Sequence, residues 1–399
     1  MSGPAPALER PVETAAPAVR TGAAVLVLLS LGHFFVDLYS GAVGALQPLL
    51  VERLNLSLAE AGILGGVFVF TSSVLQLAFG MLSDHLRTRL FAALAPLVAG
   101  VSISLLGVAP SYWLLLALVS LGGFGIAAFH PQASATVAFG TATRRGGWMA
   151  VFISAGTLGF SLGPAYFSGL LELGGAENLY WAAAPAILVS ALLLMKLPAP
   201  PAAGKERSLD LSPLRRVWRP LAVLYSLVFI RSILQIVFAQ FLPLYLTLER
   251  GFAYADANYV LTLYLVAGAL GGFFGGHLAD RFGGRTVILL SMAGCVPFLL
   301  LFFLGEGWLA VAGLIAGGLV LFFTIPVNVV MAQELVPSQA GTVSALMMGF
   351  AWGMAGVVFI PLTGRASDAF AMHPVLLSLM VFPVIGFLLA LKLEKGGRK

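Results

Sequence analysis

The chain has 399 residues, of which 59% are hydrophobic and 10% charged, with a mean hydropathy of +0.98. A soluble globular domain is about a quarter charged, so this composition excludes a water-soluble fold. A net charge of +5 would suit a nucleic-acid binder, but the placement of the basic residues, taken up below, gives it another meaning.

Residues 1–20, rich in Pro and Ala, read as a disordered tail. Apolar runs then follow at 22–50, 58–82, 91–109, 112–139, 146–171, 179–197, 218–247, 255–279, 287–305, 307–332, 340–365 and 373–392. Most match the roughly 20 residues that a helix needs to cross a bilayer core of about 30 Å. The first run is too long for the core of a signal peptide and reads as a retained helix. The one long polar interruption, 198–217, carries prolines and mixed charges and reads as a linker. The organisation expected is a tail at 1–20, a six-helix bundle at 21–197, a linker at 198–217, a second bundle at 218–393 and a tail at 394–399.

The two halves repeat each other. Pro48, Pro131 and Gly122-Gly123 recur 195 residues on as Pro243, Pro326 and Gly317-Gly318, while Gly80, Leu82, Asp84 and Arg89 recur 196 residues on as Gly276, Leu278, Asp280 and Arg285. Of the 22 Lys and Arg residues, eighteen fall in one set of alternate loops, three (Arg53, Arg250 and Arg365) fall in the other, and Arg231 lies inside a run. The excess of basic residues on cytoplasmic loops then places both termini in the cytoplasm. The charge encodes topology, and no nucleic-acid partner is expected. Cys295 is the one cysteine and has no intramolecular disulfide partner.

Two parallel six-helix halves joined by a linker are the arrangement of the major facilitator superfamily, in which one half rocks against the other around a midplane site. The fold class expected is therefore an all-α membrane protein of twelve transmembrane helices in two pseudo-symmetric bundles, in a bacterial-type inner membrane. The loop after the second run, "GMLSDHLRTR", and its repeat, "GGHLADRFGGR", resemble that superfamily's glycine-to-aspartate gating loop. Gly80, Asp84, Arg89, Gly276, Asp280, Arg281 and Arg285 are its candidate residues, expected to latch the cytoplasmic side; ordinary basic loops would explain the arginines alone.

Asp37 is the one acid deep inside a run, where a carboxylate costs about 2.5–3.5 kcal/mol. His33 precedes it by four residues on the same helical face, and Arg231 lies at nearly the same depth in the second half. Asp37 and Arg231 are expected either to form a switch for a proton or substrate, or to tie the halves permanently. His130, before Pro131, is either a proton or substrate ligand or a core histidine donating to a freed carbonyl. If the first, fourth, seventh and tenth runs line the cavity, His33, Asp37, His130, Gln132, Arg231, Gln235 and Asn328 converge on it. "GTLGFSLGP", with Gly159, Gly163 and Pro164, resembles an exporter motif or is a plain proline bend.

"GHFFVDLYSGAVGALQPLL", "FHPQAS" and "AQELVPSQAGTVSALMMGFAWGMAG" are similar to the fosmidomycin-resistance branch of the superfamily, proton-driven drug exporters. The resemblance covers all twelve runs and implies roles for His33, Asp37, His130, Arg231 and, at the end of the tenth run, Gln333 and Glu334. This chain departs from the branch at Val36, where Asn is frequent, and at Gln132, where Glu is frequent. The resemblance implies export of a phosphonate-like or amphiphilic anion in exchange for protons, by a monomer among membrane lipids, without a cofactor. The rival readings are an importer, a uniporter, a lipid flippase, a receptor and an intramembrane enzyme. The sequence displays no metal-ligand cluster and no nucleophile beside a base, which argues against the last.

Overall fold

The computed structural model describes residues 22–86, 88–139, 145–198 and 212–393. The expected tails and most of the expected linker lie outside the described residues, as do Arg87 and Arg144; the described end of the linker contains a short helix, Ser212–Arg216.

Among the described residues twelve helical spans run in order: Ala23–Leu54, Leu58–Ser83, Leu90–Val108, Tyr112–Ala138, Gly147–Gly174, Ala176–Lys196, Trp218–Leu248, Tyr254–Phe282, Gly284–Leu304, Gly307–Leu335, Pro337–Phe370 and Met372–Ala390. The expected count holds, and the short gaps between the third and fourth runs and between the ninth and tenth are helix ends, after Val108 and Leu304. An even number of spans puts both ends of the bundle on one side, called here the terminal face. Pro48, Pro131, Pro164, Pro243 and Pro361 all sit inside helices, as a membrane helix tolerates when its neighbours satisfy the freed backbone groups.

The sequence repeat is also a structural one. Gly80 lies against Pro131, and Gly276 against Pro326. Arg89 donates from Nη1 to the Leu197 carbonyl at 2.6 Å, and Arg285 from Nη2 to the Leu391 carbonyl at 3.2 Å. Each arginine therefore satisfies an orphan carbonyl at the end of the last span of its own half, where a helix C-terminus attracts a cation. Both of these arginines of the expected gating loops therefore act within their own halves here. Asp280 and Arg281 are exposed, and the Arg281 guanidinium lies over its neighbour Phe282; nothing is described of the Asp84 side chain.

The halves are joined toward the face remote from the termini. There the Asp368 carboxylate, near the end of the eleventh span, accepts from the amides of Leu58 and Ala59 at 2.9 Å each. Ser57 and Glu60 complete a capping box on that same helix start. Tyr254 donates to the Ala45 carbonyl at 2.7 Å, and Gln47 to the Gln240 side chain at 3.3 Å. Small residues bring the backbones close: a Cβ at Gly44 would meet the Ala239 carbonyl oxygen at 1.9 Å, and one at Gly364 the Leu58 carbonyl oxygen at 2.2 Å. The second and eleventh spans each contain a π-helical segment, Phe70–Val74 and Ala345–Phe350, and the two segments touch.

Candidate functional site

The first span meets the fifth across a run of glycines. A Cβ at Gly159 would lie 1.9 Å from the Phe34 carbonyl oxygen, and one at Gly163 would lie 2.3 Å from that of Leu38. These two positions of the expected exporter motif therefore let two helix backbones touch, and Pro164 continues within the same helix. One turn earlier, Gly156 faces a cluster of ionisable groups.

That cluster is His33, Asp37 and His130. His33 Nε2 lies 3.2 Å from Asp37 Oδ2, and His130 Nε2 lies 3.2 Å from Asp37 Oδ1. The His33 side chain is 9% exposed, Asp37 19% and His130 23%. The other ring nitrogens are held by the backbone: His33 Nδ1 by the Phe152 carbonyl at 2.7 Å and His130 Nδ1 by the Ile126 carbonyl at 2.8 Å. The Phe152 ring stacks on His33 with centroids 4.1 Å apart, and the two imidazoles meet edge-on at 5.0 Å.

A carbonyl oxygen only accepts, so both Nδ1 atoms carry hydrogen, and both Nε2 atoms face the carboxylate. Each Nε2–carboxylate contact attracts only with a hydrogen between the two atoms. Two further protons close the trio, leaving it with a net charge of +1. One proton closes a single contact, and none leaves lone pairs opposed at both. The arrangement links the number of bound protons to the spacing of the first and fourth spans. The carbonyl that His130 meets is that of Ile126 and not the one freed by Pro131, which is Ala127's.

The partner expected for Asp37 is different. Among the described residues its ion pairs are to His33 and His130, and Arg231 forms none. Arg231 Nη1 instead donates to Gln235 Oε1, while Nε is buried without a hydrogen-bond partner. Asp37 and Arg231 are not paired in this structure, which leaves no permanent tie between them. Asn328 is fully buried with both amide atoms unpartnered. A buried cation and a buried amide with spare hydrogen-bonding capacity are groups that a polar ligand would satisfy.

Gln132 belongs elsewhere. Its Oε1 accepts from the Ala92 amide at 2.7 Å, and its Nε2 donates to Ser83 Oγ at 2.9 Å and to the Thr88 carbonyl. These bonds tie the fourth span to the loop between the second and third and to the start of the third, so Gln132 is a structural brace. Gln333 likewise donates to Ser344 Oγ at 2.7 Å, joining the tenth and eleventh spans, while Glu334 is exposed. Phe152, Ile126 and Gly156 went unrecognised in the sequence. Two of them act through backbone carbonyls and one through a missing side chain, and of these only Gly156, at the head of "GTLGFSLGP", left a trace.

Folding also groups donor atoms that their spacing in the sequence did not display. The ligand atoms of His33, Asp37 and His130 lie within 4.8 Å of one another. Separately, the first, fifth and sixth spans border an apolar, partly open cavity of about 490 Å³, lined by Phe34, Phe35, Leu38, Leu162, Tyr166 and Pro185 among others.

The family model of the Major Facilitator Superfamily matches residues 29–360. The chain belongs to that superfamily. It is 30% identical to the fosmidomycin resistance protein of Escherichia coli, with 85% of each chain covered. It is 29% identical to an uncharacterised superfamily transporter, YfnC, of Bacillus subtilis, with 91% of each covered. A solved bacterial homologue of the human lysosomal transporter Spinster superposes with a TM-score of 0.80 over 94% of this chain and 97% of its own, at 16% identity. That likeness establishes the major facilitator fold. The protein is a multi-pass membrane transporter and not an enzyme.

Proposed function

We propose that the protein exports a small organic anion by alternating access, in exchange for protons taken up at His33, Asp37 and His130. The observation that carries this reading is the Asp37 carboxylate held between two imidazoles at 3.2 Å each, inside a span where an unpaired charge is costly. The relative named for fosmidomycin resistance supports export of a drug-like molecule.

Arg231, buried and without an acidic partner among the described residues, is the group that receives the anion, with Gln235 beside it and Asn328 as a further polar contact. The eighteen-to-three distribution of basic residues supports a cytoplasmic terminal face. Asp368, Tyr254 and Gln47 hold the halves together on the opposite side, which supports loading of the anion from the terminal face. Exchange then proceeds by the halves rocking apart at the opposite face, where protons reach the trio and the anion leaves.

The test is counter-flow in proteoliposomes, with fosmidomycin as the first compound and internal pH recorded. Asp37→Asn is expected to abolish proton movement coupled to the substrate. Undiminished coupled transport by Asp37→Asn would remove the trio from this role. A second reading, a flippase for lipid-like molecules, is favoured by the apolar cavity beside the first span. Transport of a fluorescent phospholipid in place of small anions would select it.

A further inference from the structure

We infer that the trio binds one divalent ion of the zinc class, with His33 Nε2, His130 Nε2 and the Asp37 carboxylate as its ligands. The inference concerns the same three side chains as the coupling proposed above, but it stands on their donor geometry and not on transport direction or substrate.

Three observations support it. The donor atoms converge: all lie within 4.8 Å of one another, and each nitrogen-to-oxygen contact is 3.2 Å. The edge of a tetrahedron with metal–ligand bonds of about 2.0–2.1 Å is roughly 3.3 Å, close to the 3.2 Å from each nitrogen to its own carboxylate oxygen, Oδ2 for His33 and Oδ1 for His130. Both rings are also held in the tautomer a metal needs. Their Nδ1–H groups donate to the carbonyls of Phe152 and Ile126, backbone atoms outside the trio, which aims each Nε2 at the carboxylate. A histidine that binds metal through one nitrogen commonly has the other fixed in this way. Finally, the trio is reachable, with Asp37 and His130 each about one-fifth exposed.

Without bound protons, two lone pairs confront a carboxylate. One dication satisfies both contacts at once, taking the place of two protons. Two imidazoles and one carboxylate suit Zn²⁺, Co²⁺ or Ni²⁺, whereas Mg²⁺ and Ca²⁺ prefer all-oxygen sites. Three protein ligands leave a fourth position open to water or to a substrate group. An ion there clamps the first span to the fourth and excludes the proton pair, so a metal of this class is expected to arrest the transport cycle.

The experiment titrates Co²⁺ into the purified full-length protein and follows visible absorption, with Zn²⁺ as the displacing ion. One Co²⁺ per chain is expected, displaced by an equivalent of Zn²⁺. Asp37→Asn and His130→Gln are each expected to weaken binding 100-fold or more. The triple variant His85→Gln, His277→Gln, His373→Gln, which removes the other three histidines of the chain, is expected to bind as the wild type does. X-ray absorption of the zinc-loaded wild type is expected to report two imidazole ligands, a readout that depends on no variant folding. Failure of the wild type to bind Co²⁺, unchanged binding by Asp37→Asn, or loss in the triple variant overturns the inference. Metal binding without proton-coupled transport would remove the coupling alone, and coupled transport without metal binding would remove this inference alone.

Discussion

Substituting alanine for Gly156 tests the trio without touching any of its members. A Cβ there would stand 2.4 Å from His33 Nε2, 2.5 Å from its Cε1 and 2.7 Å from Asp37 Oδ2, where ordinary contacts lie at about 3.5–4.0 Å. The imidazole would have to retreat by about 1 Å. It is held at its far side by a 2.7 Å hydrogen bond to Phe152 and by stacking on the Phe152 ring, so the contact to Asp37 gives way first. Overpacking of this kind costs about 1–3 kcal/mol, which lowers the population of the closed trio roughly 5- to 150-fold. Coupled transport in proteoliposomes is expected to fall by about that range.

The same substitution elsewhere on the fifth span separates the causes. A Cβ at Gly169 would meet nothing within 4 Å, so Gly169→Ala is expected to transport normally. Gly159→Ala would press on the Phe34 backbone, which has no flexible end to yield, and is expected to lower thermal stability and transport together. Wild-type coupled transport by Gly156→Ala would refute the assignment of the trio to coupling.

Replacing Gln132 with Leu strands the Ala92 amide and Ser83 hydroxyl in a buried setting. It is expected to cost about 1–3 kcal/mol of stability, seen as a lower thermal midpoint, with transport per folded molecule retained. Arg231→Gln is expected to raise the KM for anionic compounds tenfold or more while affecting neutral ones far less, measured by uptake into inverted vesicles. Asp368→Ala removes the carboxylate that caps the second span from the other half, and losing a helix cap costs about 1 kcal/mol. A thiol placed at Gln240 should then react several-fold faster with an impermeant reagent added at the face opposite the termini; an unchanged rate would show that this contact does not hold the seal.

Much of the architecture was legible because each span must be apolar along its own length, a property local to about 20 residues. The repeat was legible for a related reason: Gly80 with Pro131 and Gly276 with Pro326 occupy equivalent positions in the two halves. His33 and Asp37 paired as expected, since a four-residue separation on a helix fixes their approach. The pairing of Arg231 with Asp37 was not found because equal depth in the membrane says nothing about which way a side chain faces. Gln132 was misassigned for a similar reason: a deep amide looks like a ligand group until its partners, Ala92, Ser83 and Thr88, are seen around it.

By itself the sequence determined that the chain crosses a membrane twelve times, that it does so as a duplicated unit, and that one carboxylate is buried at a depth where it requires a partner. All three follow from hydrophobicity and spacing, which depend only on the order of residues. Tertiary structure alone decided that the carboxylate's second partner is His130 and not Arg231. Packing the fifth span on the first through Gly156, Gly159 and Gly163, and bringing the fourth span alongside, delivers His130 and the Phe152 carbonyl to the places where Asp37 and His33 need them. Those contacts depend on how close two backbones come, and that distance is settled between helices and not within one.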